Sequence, residues 1–214
     1  MKNPPFASII ALVCALVTLA LLFVSVSIVD GEVKVSTQLP MHFTTYAEAL
    51  VVVEALLLFL IPAVLLTLCA LVVIEERRKN ASMVRVKRYF VLLALPIGLR
   101  ILSAIEETIY ILLYEGRFSL EYTWTALLTA AFHLVIYTMT AMGKFQSGLW
   151  LVLTALVFAA IEVAKLIFPE ISFAPYAYVV DTNVYLSTFA SAVLFYLTYA
   201  CLGISIVSYQ HKRK

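Results

Sequence analysis

Six apolar stretches, each long enough to cross a bilayer as an α-helix, occupy most of this chain. They run approximately over residues 6–29, 46–74, 89–114, 121–143, 148–168 and 183–209. A membrane hydrocarbon core needs about 20 helical residues to span it. The runs are continuous, whereas the strands of a membrane barrel would alternate and be about half as long. The third and fourth stretches are interrupted by polar residues. Composition agrees with the pattern: 64% of the 214 residues are hydrophobic and 13% are charged, far outside the usual range of water-soluble domains. A soluble fold of this length could not hide so much apolar surface in one core, and a disordered chain needs the opposite composition. The expected class is all-α: a polytopic membrane helix bundle of six transmembrane helices forming a single domain, with no soluble domain.

Basic residues predict the orientation. Lys2, Arg77, Arg78, Lys79, Arg85, Lys87, Arg88, Lys144 and the Lys212-Arg213-Lys214 tail place 11 of the 15 Lys and Arg on one side. The other side holds Lys34 and Arg117 among the acids Asp30, Glu32, Glu115, Glu121, Glu170 and Asp181. The positive-inside bias assigns the basic side, with both termini, to the cytoplasm, and an even number of spans agrees. Tyr46, Tyr114, Tyr122, Trp124, Tyr176 and Tyr178 are expected at the outer interface and Tyr89, Phe145, Trp150 and Tyr209 at the inner one, as amphipathic rings prefer. The first stretch exceeds the usual 7–15 residues of a signal-peptide core, so it is expected to remain as a span.

Ionisable side chains within the spans are costly and mark candidate sites. Glu54 lies in the second stretch, Arg100, Glu106 and Glu107 in the third, His133 in the fourth, and Glu162 and Lys165 in the fifth. At about 1.5 Å per residue, Glu54, Glu107 and Glu162 come to similar depths, roughly 9–12 Å below the outer boundary. Arg100 and His133 fall nearer the midplane. Arg100, Ser103 and Glu107 share one helical face by their i, i+3, i+7 spacing. The ligand-binding or coupling candidates are therefore Glu54, Arg100, Ser103, Glu107, His133 and Glu162. The competing structural reading makes Arg100–Glu107 a buried ion pair, lets Glu162 and Lys165 neutralise each other one turn apart, and gives His133 an interhelical hydrogen bond. Pro62 and Pro96 can bend their helices, as in transporters whose broken helices line a cavity.

Enzyme signatures are missing. There is no HExxH, and no second membrane histidine accompanies His133 as a metal ligand. No GxSxG elbow is present. Glu106-Glu107 is similar to the paired glutamates of the intramembrane CAAX-type proteases, but that pattern places an Arg where this chain has Ile111, so the resemblance is rejected. Cys14, Cys69 and Cys201 read as small buried hydrophobes. No cofactor, metal or nucleic acid is expected. The partners expected are the lipid bilayer of the cell membrane and either a small polar solute or cation, or a membrane protein partner. Carboxylates in a dry cavity suit proton coupling, which favours a small permease or the membrane subunit of one. The alternative is a non-catalytic membrane protein that binds or assembles partner proteins, and a membrane-embedded enzyme is the third reading. Only 6 glycines are present, fewer than closely packed transporter helices tend to use.

Overall fold

A computed structural model of the chain describes residues 6–37, 48–77, 83–116, 118–144, 146–168, 171, 178–180 and 183–211. Six helices fall within these residues: α1 (Phe6–Leu21), α2 (Glu48–Arg77), α3 (Met83–Glu115), α4 (Leu120–Ala141), α5 (Gln146–Ile167) and α6 (Leu186–His211). Each helix packs against its sequence neighbours, and α6 returns to pack on α1, so the bundle closes into a ring. The core is apolar: Ala11 and Ala15 of α1, Leu65 and Cys69 of α2, Ile97 of α3, Ile136 of α4, Leu151 and Phe158 of α5, and Leu202 of α6 are all buried. The outside is apolar too. Leu16, Leu56, Leu102, Leu134, Leu156 and Leu197 are exposed, a surface that suits lipid and would be a liability in water.

Four of the described helical segments are long and apolar enough to cross a membrane: Leu56–Glu75, Thr123–Ala141, Gln146–Ile167 and Leu186–Ser208. α3 carries Arg100, Glu106 and Glu107 within its length, and α1 is shorter, at 16 residues. The basic connection read from sequence as a cytoplasmic loop over residues 75–88 is shorter than expected: 75–77 end α2 and 83–88 begin α3, while 78–82 lie outside the described residues.

The fold is mostly helical, as expected, but the expectation of a continuous first helix over 6–29 is corrected, and one small sheet joins the helices. α1 stops at Leu21, and four strands follow: β1 (Ser25–Val29), β2 (Glu32–Ser36), β3 (Val179–Val180) and β4 (Asn183–Tyr185). They form one antiparallel sheet in the order β2-β1-β4-β3. The local cause is legible in retrospect. Ser25-Val26-Ser27-Ile28-Val29 alternates small polar and β-branched residues, a strand period. Asp30 and Gly31 both have positive φ, 53° and 81°. That is the backbone of a two-residue hairpin turn, for which Asp-Gly is a favoured pair, and Val29 duly faces Glu32 across it. The same sheet takes residues 183–185 from the predicted start of the sixth helix. Ser187 Oγ, in the first turn of α6, accepts the Val26 N–H at 3.0 Å and ties β1 to that helix. The sheet caps the bundle at the end where α1 and α5 finish and α6 begins.

α5 and α6 approach most closely at a pair of glycines. A Cβ placed on Gly148 would lie 2.8 Å from the Gly203 carbonyl oxygen and 2.9 Å from Ile206 Cγ2. One placed on Gly203 would run into the Gly148 carbonyl oxygen and lie 2.8 Å from Val152 Cγ2. The backbones touch because neither residue has a side chain, the means by which membrane helices pack closely without a hydrophobic driving force.

Candidate functional site

Polar side chains are stacked through the interior of α3–α6, starting at the sheet end. Glu162 on α5 is buried, and its Oε2 accepts the Tyr178 hydroxyl at 2.6 Å. One turn along, the Lys165 Nζ lies 3.5 Å from the same oxygen, with the two side chains 12% and 7% exposed. This is the local pair that the i, i+3 spacing predicts. Tyr178 precedes β3 and is buried, its ring set edge-on to Phe189. Sequence reasoning places Tyr178 near the outer boundary; the structure adds that its hydroxyl turns inward onto the carboxylate. Burial, and after it the charge of Glu162 and the hydrogen bond to it, push the Tyr178 phenol well above its ordinary value.

A raised phenol pKa has a definite sign. Below about pH 10, the ordinary tyrosine value, folded and unfolded chains both hold the proton and the bond contributes fully. Above it the unfolded chain loses its proton first, so stability falls as pH rises. Tyr178→Phe is therefore expected to lose about 2 kcal/mol near neutrality, the scale of a hydrogen bond to a charged group. It should also show a shallower alkaline decline. Thermal unfolding of the detergent-solubilised protein across neutral and alkaline pH checks both; equal slopes would contradict the assignment.

The next layer belongs to α3. Arg100 Nη1 donates to Ser103 Oγ at 3.2 Å, and Nη2 donates to the Tyr196 hydroxyl of α6 at 3.3 Å. The guanidinium lies over the Phe195 ring, 5.9 Å from its centroid. The Arg100–Glu107 ion pair of the competing structural reading gives way to these neutral hydroxyl contacts, since Ser103 and Tyr196 reach the guanidinium directly. Glu107 sits two turns from Arg100 on the same face, within electrostatic reach of Lys165, Arg100 and Glu162. Carboxylates from α3 and α5 and cations from both helices thus share one region of the interior.

Deeper still, His133 of α4 is fully buried. Its Nδ1 lies 2.7 Å from the Thr129 carbonyl. A carbonyl can only accept, so Nδ1 carries a proton and donates to it. The imidazole packs on Phe158 and Tyr199, with ring centroids 6.2 and 5.6 Å away. Among the described residues, His133 Nε2, the Tyr199 hydroxyl and Arg100 Nε are buried without a hydrogen-bond partner. The same holds for Thr154 Oγ1, Thr140 Oγ1 and Ser147 Oγ, which continue the series away from the sheet. Ser8 of α1 and Ser205 of α6 bond to each other at 2.8 Å, both buried. Along α5 alone, from Ser147 to Glu162, the series covers about 22 Å of helix rise.

Of the residues singled out by sequence, Arg100, Ser103, Glu107 and Glu162 are brought together, and His133 lies beside them, within electrostatic reach of Arg100. Glu54 is in α2, but its side chain lies outside the described residues. Tyr178, Tyr196, Tyr199 and Thr154 are additions that sequence reasoning missed. Tyr196 and Tyr199 stand at i, i+3 in α6, a spacing that could have marked an inward hydroxyl face. No protein-family model, curated protein or solved structure matches this chain.

Proposed function

We propose that this chain is a small permease, or the membrane subunit of one, that carries a small polar solute or cation together with a proton. In this reading it crosses the cell membrane six times, with the sheet outside and both termini in the cytoplasm. α1 and α3 supply the two spans beyond the four that are long and apolar enough on their own. The lopsided distribution of Lys and Arg supports the orientation. The observation that carries the function is the column of buried polar groups from Lys165 and Glu162 to Thr140 and Ser147. Unpartnered polar atoms cost about 1–3 kcal/mol each, and a buried ion pair is often no better for stability than apolar residues of the same shape. A bundle that only had to hold together would gain from apolar side chains at these positions, whereas a passage for polar cargo needs donors and acceptors there.

The test is reconstitution into liposomes loaded with a pH-reporting dye. Adding members of a panel of small acids, amino acids, amines and alkali cations should produce solute-dependent proton movement above that of empty liposomes. Movement equal to that of empty liposomes across the panel would contradict the reading. A second reading, a non-catalytic protein that assembles membrane partners, draws support from β2, whose five residues are all exposed, Val33 and Val35 included.

A further inference from the structure

We infer that Arg100 is the recognition point for a carboxylate, so that the cargo is a small carboxylate anion carried with a proton and not a cation. This rests on the permease reading and deepens it. A guanidinium offers five N–H donors in a planar fork. Here Nη1 and Nη2 each reach one neutral hydroxyl at 3.2 and 3.3 Å, and Nε, buried, has no hydrogen-bond partner among the described residues. Such a fork matches the two oxygens of a carboxylate better than any other small group.

The surroundings fit the same ligand. The Tyr199 hydroxyl, also buried without a partner among the described residues, can add a further donor. Phe195 lies beneath the guanidinium, and Phe158 and Tyr196 stack 5.4 Å apart next to it. These rings put apolar surface beside the fork, which the carbon portion of a small solute would pack against on entering. His133 turns its Nδ1–H back onto the Thr129 carbonyl of its own helix, away from the fork's open donors.

The charges balance. Arg100 and Lys165 lie near Glu107 and Glu162 between α3 and α5, with the hydroxyls of Tyr196 and Tyr199 facing them from α6 and His133 from α4. Binding one carboxylate adds one negative charge to this layer. One proton taken up by Glu107, forming its O–H bond, restores the balance, and the release of both on the other side resets it.

The experiment is thermal unfolding of the purified full-length protein in detergent, titrated with sodium acetate, sodium chloride or methylammonium chloride at matched ionic strength. Acetate is expected to raise the unfolding temperature saturably, as a ligand of the folded state must, while the two chloride salts do not. Arg100→Lys, which keeps the charge and loses the fork, should abolish the acetate response. Should that variant fail to fold, Tyr199→Phe removes only a hydroxyl. It is expected to shift half-saturation roughly tenfold upward. Equal responses to acetate and chloride, stabilisation by methylammonium alone, or an unchanged acetate response in Arg100→Lys or Tyr199→Phe would each overturn the inference. Acetate binding without solute-dependent proton movement in liposomes would instead overturn the permease reading and leave Arg100 as a carboxylate site. Coupled movement without acetate binding would overturn the inference alone.

Discussion

Gly203→Leu is expected to force α5 and α6 apart and to cost more than about 3 kcal/mol, beyond the usual range for overpacking a core. A side chain there meets backbone: the Gly148 carbonyl of the facing helix stands where the new Cβ would go, with Val152 Cγ2 at 2.8 Å and Leu151 Cβ at 3.1 Å. Backbone cannot swing away as a rotamer can, so the whole helix has to shift. The shift would loosen Leu151, Phe158, Tyr196 and Tyr199, which share the buried core at this interface. Gly98→Ala provides the contrast, because its added Cβ would find only the Tyr137 ring at 3.6 Å, an ordinary contact. Unfolding in mixed detergent micelles, wild type against both variants, measures the difference. A Gly203→Leu protein as stable as the wild type would mean that the two helices do not touch there.

Glu107→Gln is expected to reduce coupled proton movement in liposomes to the background of empty vesicles. The substitution keeps the shape and hydrogen-bonding reach of the side chain but removes the group that can take and release a proton. Glu107 is the carboxylate on α3 that lies within reach of Lys165, Arg100 and Glu162 together. Its loss leaves two cations facing Glu162, so cargo bound there could no longer exchange a charge-compensating proton. Glu107→Asp should keep part of the rate, since the carboxyl is retained one methylene short. Rates are compared at equal protein insertion, and a Gln variant with near wild-type coupling would remove Glu107 from the mechanism.

The helices are legible because apolar length alone predicts them: each of the six expected stretches overlaps one helix, from α1 at Phe6–Leu21 to α6 at Leu186–His211. What failed was the end of the first stretch. Its hydrophobicity continues past Leu21 and hides a change of period, which the Asp30-Gly31 pair that turns the hairpin betrays. Relations within one helix were also readable, as with Arg100 and Ser103 on one face and Glu162 beside Lys165. Relations between helices were not. Tyr196 reaching Arg100, or Tyr178 reaching Glu162, depends on how the ring closes. An aromatic residue in an apolar run reads equally well as core, lipid contact or interfacial anchor. The scarcity of glycine counted against close packing, yet Gly148 and Gly203 face each other where α5 crosses α6. Position, more than number, decides what a small residue does.

Whether charges on separate helices act on one another inside the bundle is answered most directly by a double-mutant cycle between Glu107 of α3 and Lys165 of α5. Unfolding free energies of the wild type, Glu107→Gln, Lys165→Met and the double variant give the interaction between the two sites. The arrangement described here predicts a coupling above about 1 kcal/mol, with the double variant less destabilised than the two single losses together. Single losses that add to within about 0.5 kcal/mol would show that the two charges do not interact across α3 and α5, and the interior site would have no basis.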